Sequence, residues 1–172
     1  RIDRMASLQP AYIDITWGAG GSTSNKTLEM CKTIQKYFGL EVMMHLTCTN
    51  MQVSSIKEVL IEAEKNDLSN ILALRGDPPE GSSSWEQHED GFHHGIDLVR
   101  YIRKEFGDHF FLGVGGYPDG HQEQSDLDAD ISFLKEKVDA GSDIVVTQLF
   151  YDVDKFLLFR DKCIKSDIKV PI

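Results

Sequence analysis

The sequence has few cysteines, few basic residues and no long apolar run, and each scarcity excludes a class of protein. Three cysteines among 172 residues, none of them in a C-x-x-C pair, cannot form a complete disulfide framework, so we expect a reducing, cytoplasmic environment. Eighteen basic against 28 acidic residues give a net charge of −10, which argues against a nucleic-acid partner. No apolar run approaches the ~20 residues that span a bilayer, so we expect no membrane association.

What the sequence does contain is an alternation of apolar, β-branched-rich runs with helical patterns. The runs predict strands buried on both faces, over residues 11–18, 40–49, 70–77, 110–117 and 143–151. The stretches between them predict helices over residues 24–38, 54–66, 92–106, 126–140 and 153–166. This alternation implies one α/β domain over residues 1–172, with a parallel sheet that is either closed as a barrel or open and doubly wound.

Polar side chains gather at the carboxyl end of every predicted strand. In chain order they are Thr16 and Trp17, then His45, Thr47 and Thr49, then Arg75 and Asp77, then Tyr117, and then Gln148. In a βα barrel the carboxyl ends share one rim that carries the active site, so we expect these residues to face a common pocket. A single strand-end charge is more often a helix cap or a surface ion pair, but five strands with the same pattern favour a site.

Two other motifs are weak. The sequence GAGGST, residues 18–23, faintly resembles a dinucleotide fingerprint, but His45 stands at the end of the next strand where an acid should bind the ribose. We therefore reject a Rossmann site. The glycines permit either a tight turn that brings backbone N–H groups near a ligand or a turn with no ligand role, and both interpretations stay open. His88, His93 and His94 match no compact zinc spacing, so no metal is expected, and the segment 78–91 that holds His88 predicts a solvated loop or lid.

The sequence GYPDGH, residues 116–121, carries more information. It predicts a rigid turn that presents the ring of Tyr117 and the imidazole of His121 together. Asp130 and Lys137 lie seven residues apart, near two helical turns, so both can lie on one helix face. That face is either an ordinary solvated one or part of a site for a ribose or pyrophosphate.

Five segments taken together closely resemble the methylenetetrahydrofolate reductase family in its eukaryotic form: DITWGAGGS, HLTCTN, LALRGDPP, GYPDGH and DAGSDIVVTQLFYD. They follow in consistent order along essentially the whole chain. The resemblance implies a (βα)8 TIM barrel, incomplete here with strands two to six and the start of the seventh. It also implies a flavin-dependent oxidoreductase of one-carbon and methionine metabolism. Such an enzyme holds FAD noncovalently and uses NAD(P)H to reduce 5,10-methylenetetrahydrofolate to 5-methyltetrahydrofolate.

The resemblance also assigns site residues. It implies FAD contacts for Thr16, Trp17, His45, Arg75, Gly76, Asp77, His94, Gly95, Tyr117, His121, Asp130 and Lys137. Asp77 and Gln148 would bind the folate, because a carboxylate and an amide can hydrogen-bond a pterin ring. Arg75 and Lys137 would counter the pyrophosphate charge. This chain departs from the family where His94 replaces a frequent tyrosine and where Gln122 and Gln124 alter the loop after His121.

The family's general acid is a glutamate on a Phe- and Pro-rich first strand, which the resemblance places upstream of Arg1. We therefore expect no catalytic residue within these 172 residues and no turnover by them alone. Two alternatives stay open: a catalytically incomplete flavin- or folate-binding module, and another flavin-barrel enzyme such as a proline dehydrogenase relative. Gln148 and the strand end at Arg75 and Asp77 argue against the latter. We expect the full-length protein to be a homo-oligomer.

Overall fold

The computed structural model describes residues 1–17, 24–48, 51–77, 89–121 and 126–172. In these ranges five parallel strands alternate with helices, as the sequence predicts. The strands are β1 (Ile13–Ile15), β2 (Val42–Thr47), β3 (Asn70–Leu74), β4 (Phe111–Gly116) and β5 (Ile144–Thr147). The helices are α1 (Ile2–Ala6), α2 (Ser24–Phe38), α3 (Val53–Lys65), α4 (Gly95–Phe106), α5 (Leu127–Asp139) and α6 (Val153–Lys165).

The order of the strands decides between the two predicted architectures. Each strand pairs in parallel with the next one in the chain, in the order β1-β2-β3-β4-β5, and the sheet curls into a half-barrel. In a doubly wound sheet the first strands are added toward one edge and the later strands toward the other edge. In a barrel wall each strand is added next to the one before it. The fold is therefore α/β and TIM-like; the position of these strands within an eight-stranded barrel stays a prediction.

The last residues of the chain lie beside β5. The backbone N–H of Val145 donates to the carbonyl of Pro171 at 2.9 Å. Residues 169–172 themselves do not form a strand. The apolar run at this end thus contacts the sheet where a next parallel strand would pair.

The sheet has two unlike faces because side chains alternate along each strand. On the outer face, Met44, Leu46, Ile71, Val114 and Val145 are buried in one core with the helices. On the inner face, the cross-strand register aligns His45, Leu72, Gly113 and Ile144. A Cβ added to Gly113 would lie 2.9 Å from Leu72 Cδ1 and 3.3 Å from Ile144 Cγ2, which places these residues on the same side.

Every predicted strand and three of the predicted helices are shorter in the structure, and side-chain caps mark where two of these helices begin. The helix predicted from residue 92 begins at Gly95, since His94 has extended backbone angles and its N–H donates to Asp97 Oδ2 at 3.0 Å. The strand predicted to residue 151 ends at Thr147, and Asp152 caps α6 by accepting from two backbone N–H groups. Side-chain caps fix these boundaries more sharply than hydrophobic patterns do.

Gly116 allows β4, β5 and α6 to pack closely, and its replacement should destabilise the protein. A Cβ at this position would lie 2.7 Å from Val145 Cγ1 and 3.0 Å from Phe159 Cζ. Gly116→Ala should therefore lower the free energy of unfolding by about 1–3 kcal/mol, as overpacked cores do. Urea denaturation of the full-length protein measures it; an unchanged midpoint would show that Phe159 moves aside freely.

Candidate functional site

A cleft of about 490 Å³ opens at the carboxyl ends of β3 and β4, bordered by the start of α4 and one face of α5. This size is within the range of small-molecule sites. Seven of the residues predicted to bind FAD line it: Arg75, His94, Gly95, Tyr117, His121, Asp130 and Lys137. Six lining residues were not predicted: Ala73, Leu74, Ile96, Gly115, Phe133 and Glu136.

The turn after β4 presents two rings to the cleft, as the sequence predicts. Gly120 has a φ of +86°, which favours glycine, and its N–H donates to the carbonyl of Tyr117 at 2.9 Å. This closes the turn and brings the Tyr117 and His121 rings edge to face, with centroids 4.7 Å apart. The side of the cleft next to β4 is therefore a fixed aromatic pair.

One face of α5 contributes charged residues to the cleft. Asp126 begins this helix by accepting a hydrogen bond from the N–H of Asp128 at 3.0 Å. Asp130 and Lys137 then both reach the cleft, which confirms the prediction of a shared helix face. Lys137 Nζ lies 5.8 Å from the centroid of the Tyr117 ring, close enough for a cation–π contact.

Burial perturbs the three titratable groups at the centre of the cleft. It raises the pKa of Asp130, while Lys137 and His121 oppose that rise. Burial lowers the pKa of Lys137; Asp130 opposes this, and Arg75 lowers it further. Burial also raises the pKa of Tyr117, and Asp130 adds to that effect. Arg75 and Lys137 both line the cleft, so an anionic ligand bound there would be stabilised by two cations.

The end of β3 brings opposite charges to the same region. Gly76 has a φ of +95°, and a Cβ there would lie 2.9 Å from Thr47 Cβ, so only glycine fits this turn. Burial and Asp130 have the two largest effects on the pKa of Tyr117. Of the smaller effects, Arg75 lowers this pKa and Asp77 raises it. The two charges that flank Gly76 thus act on the cleft, although Asp77 is exposed and does not line it.

The remaining predicted residues lie at the carboxyl rim outside this cleft. The carbonyl of Thr16 accepts a hydrogen bond from Thr27 Oγ1 at 3.3 Å. Trp17 is only 7% exposed, and its Nε1 has no hydrogen-bond partner among the described residues. Gln148 follows β5 with an exposed side chain, and its N–H donates to the carbonyl of Gly116 at 2.7 Å.

His45 has a carboxylate partner on the neighbouring strand. Its Nε2 lies 3.1 Å from Asp14 Oδ1. Neither residue lines the cleft, although both are on the inner face of the sheet.

Several predicted features lie outside the described residues. They are the turn 18–23, Thr49, most of the loop with His88 (78–88), and Gln122 and Gln124. In the described part of the chain, no group of three or more His, Cys, Asp or Glu side chains could hold a metal ion. Over the same ranges, no helix is long and apolar enough to cross a membrane.

The fold is that of a TIM-like α/β protein, with a cleft of small-molecule size at the carboxyl ends of its strands. The family model for methylenetetrahydrofolate reductase matches residues 1–172, and the chain belongs to this family. That membership confirms the resemblance found in the sequence motifs.

Named relatives agree with the family match. The chain is 46% identical over 181 residues to methylenetetrahydrofolate reductase (NADH) 1 of Arabidopsis thaliana, covering 100% of the chain and 31% of the relative. It is 47% identical over 177 residues to methylenetetrahydrofolate reductase 2 of Saccharomyces cerevisiae, covering 100% and 29%. It is 37% identical over 171 residues to 5,10-methylenetetrahydrofolate reductase of Escherichia coli, covering 99% and 55%. The chain thus spans about a third of its plant and yeast relatives.

Proposed function

We propose that the full-length protein is a cytoplasmic, FAD-dependent oxidoreductase that reduces 5,10-methylenetetrahydrofolate to 5-methyltetrahydrofolate. Residues 1–172 form part of its flavin-binding barrel domain. The observation that carries the proposal is the convergence of Arg75, Lys137, Asp130 and the Tyr117–His121 pair on one cleft of a reductase-family fold. Family membership favours this function over that of a proline dehydrogenase relative.

The lining residues suit the phosphate and ribose end of a dinucleotide. Arg75 and Lys137 are two cations that both line the cleft, and paired cations stabilise a pyrophosphate through charge-assisted hydrogen bonds. The Asp130 carboxylate can accept from ribose hydroxyls. Gly115 leaves space in the cleft beside Tyr117, since a Cβ at this position would lie 3.2 Å from the Tyr117 hydroxyl oxygen. Charge, shape and hydrogen-bonding chemistry therefore fit FAD at this position.

The residues at the carboxyl ends of the strands, outside the cleft, suit the flavin ring of FAD and the folate. We assign the flavin contacts outside the cleft to Thr16, Trp17, His45, Gly76 and Asp77. We assign the folate contacts to Asp77 and Gln148, since a carboxylate and an amide offer the hydrogen-bond acceptors and donors that a pterin ring needs. When bound, FAD would carry electrons from a nicotinamide donor to the folate. The names of the plant relatives favour NADH as that donor.

Removing either cation of the cleft should weaken FAD binding. We expect Lys137→Ala and Arg75→Ala each to raise the dissociation constant roughly 10- to 100-fold, the loss of one or two charge-assisted hydrogen bonds. Fluorescence titration of FAD onto the flavin-depleted full-length protein measures this.

Lys135→Ala is the matched control for the titration. Lys135 is on the same helix but pairs with Asp139, away from the cleft, so its removal should leave FAD affinity within about twofold. Equal affinity in the Lys137, Arg75 and control variants would show that the cleft does not hold the pyrophosphate.

A further inference from the structure

Asp14 and His45 form a pair on the inner face of the sheet. In the register of β1 and β2, Asp14 is opposite Met43, and His45 is two residues further along the same face. The His45 imidazole on β2 reaches the Asp14 side chain on β1, and its Nε2 lies 3.1 Å from Asp14 Oδ1. The contact joins a residue with a proposed cofactor role to a carboxylate that has none.

The chemistry of the pair fixes which ring nitrogen carries a proton. A carboxylate can only accept, so Nε2 of His45 must donate to Asp14. In the neutral ring, Nδ1 is then the unprotonated nitrogen, and the ring plane is held by the strand that carries Asp14. Carboxylates that orient a functional histidine in this way are common around metal and catalytic sites.

We propose that Asp14 is a positioning residue, which sets the tautomer and orientation of His45 and thereby the strength of its contact with the flavin. The inference rests on the proposed function, in which His45 contacts FAD. Asp14 itself touches neither cofactor nor substrate in this proposal.

A purely structural role does not explain the pair as well. The Asp14 side chain is 43% exposed and that of His45 is 18% exposed, so this contact contributes little to stability. Asp14 also interrupts the apolar sequence of β1 between Ile13 and Ile15, both of which pack in the core. An orienting function accounts for a carboxylate at this position.

A double-mutant cycle on the full-length protein tests whether Asp14 acts through His45. FAD affinity is titrated for the wild type, Asp14→Asn, His45→Gln and the double variant. We expect Asp14→Asn to weaken FAD binding roughly three- to tenfold when His45 is present, and less than about twofold when it is Gln. The thermal midpoints of wild type and Asp14→Asn should agree.

Glu41→Gln is the matched control, because Glu41 also contacts a side chain on the next strand, Asn70 at 3.3 Å, but at the amino end of the sheet. It should leave FAD affinity unchanged. The positioning role would be wrong if Asp14→Asn weakened FAD binding equally with His or Gln at position 45, or if Glu41→Gln weakened it as much as Asp14→Asn does. Either result would leave the proposed function unaffected. A wild-type protein that binds no FAD would overturn the proposed function and this inference with it.

Discussion

Gln148→Ala in the full-length protein should slow reduction of methylenetetrahydrofolate about 100-fold, because a substrate left with unpaired polar groups loses roughly 3 kcal/mol. Gln148 directly follows β5, and its backbone is fixed by the 2.7 Å hydrogen bond to the carbonyl of Gly116. Its side chain is exposed and free to meet a ligand. In the proposed function Gln148 contacts the folate and not the flavin, so flavin reduction by NADH should stay within about twofold of wild type.

Stopped-flow measurement of the two half-reactions separates these effects. Gln35→Ala is a suitable control, since Gln35 is on α2 and its side chain donates to the carbonyl of Asp67, far along the chain from β5. It should change neither half-reaction. If Gln148→Ala slowed both half-reactions equally, Gln148 would have a structural role and the folate assignment would be wrong.

Arg103→Ala should lower the free energy of unfolding by about 2–4 kcal/mol, because it removes four hydrogen bonds at once and leaves three part-buried acceptors without this partner. The Arg103 guanidinium sits at the opposite end of the sheet from the cleft and is only 17% exposed. It donates at 2.7–3.1 Å to the carbonyls of Gly107, Phe110 and Gly141 and to Asp143 Oδ2. Asp143 in turn accepts from the N–H of Leu112 at 2.7 Å, which ties α4, β4 and the start of β5 together.

Urea denaturation followed by circular dichroism tests this stability prediction. Arg100→Ala is the control, because Arg100 is exposed on the same helix, and surface substitutions usually change stability by less than about 0.5 kcal/mol. Similar midpoints for the Arg103 and Arg100 variants would show that the hydrogen bonds of Arg103 do not stabilise the fold. FAD affinity measured in native buffer should be the same in both variants.

The elements of the fold could be predicted from local patterns, but their arrangement could not. Helix α2 has the bounds Ser24–Phe38 that its periodicity predicts. Barrel and doubly wound sheets share the same local alternation of strands and helices. The distinction lies in which strands pair, a long-range property that the consecutive order of β1 to β5 reveals.

In the candidate site too, features set by local sequence could be predicted, and features set by long-range contacts could not. Asp130 and Lys137 could be placed together because helical spacing is a local rule, and the same spacing would have found Phe133 and Glu136 on that face. Gly115 offers no such signal, because its role depends on the neighbouring Tyr117 hydroxyl. The contact of Asp14 with His45 depends on the register of two strands and was likewise not predictable.

The most direct test of the central claim is the visible absorption spectrum of the purified full-length protein, recorded anaerobically before and after addition of NADH and then of methylenetetrahydrofolate. The account predicts the bands of bound oxidised flavin, their loss on addition of NADH, and their return when the folate is added. Lys137→Ala should show weaker flavin bands than Lys135→Ala after identical purification. A protein that shows no flavin bands, and gains none after incubation with FAD and removal of the excess, would contradict the account.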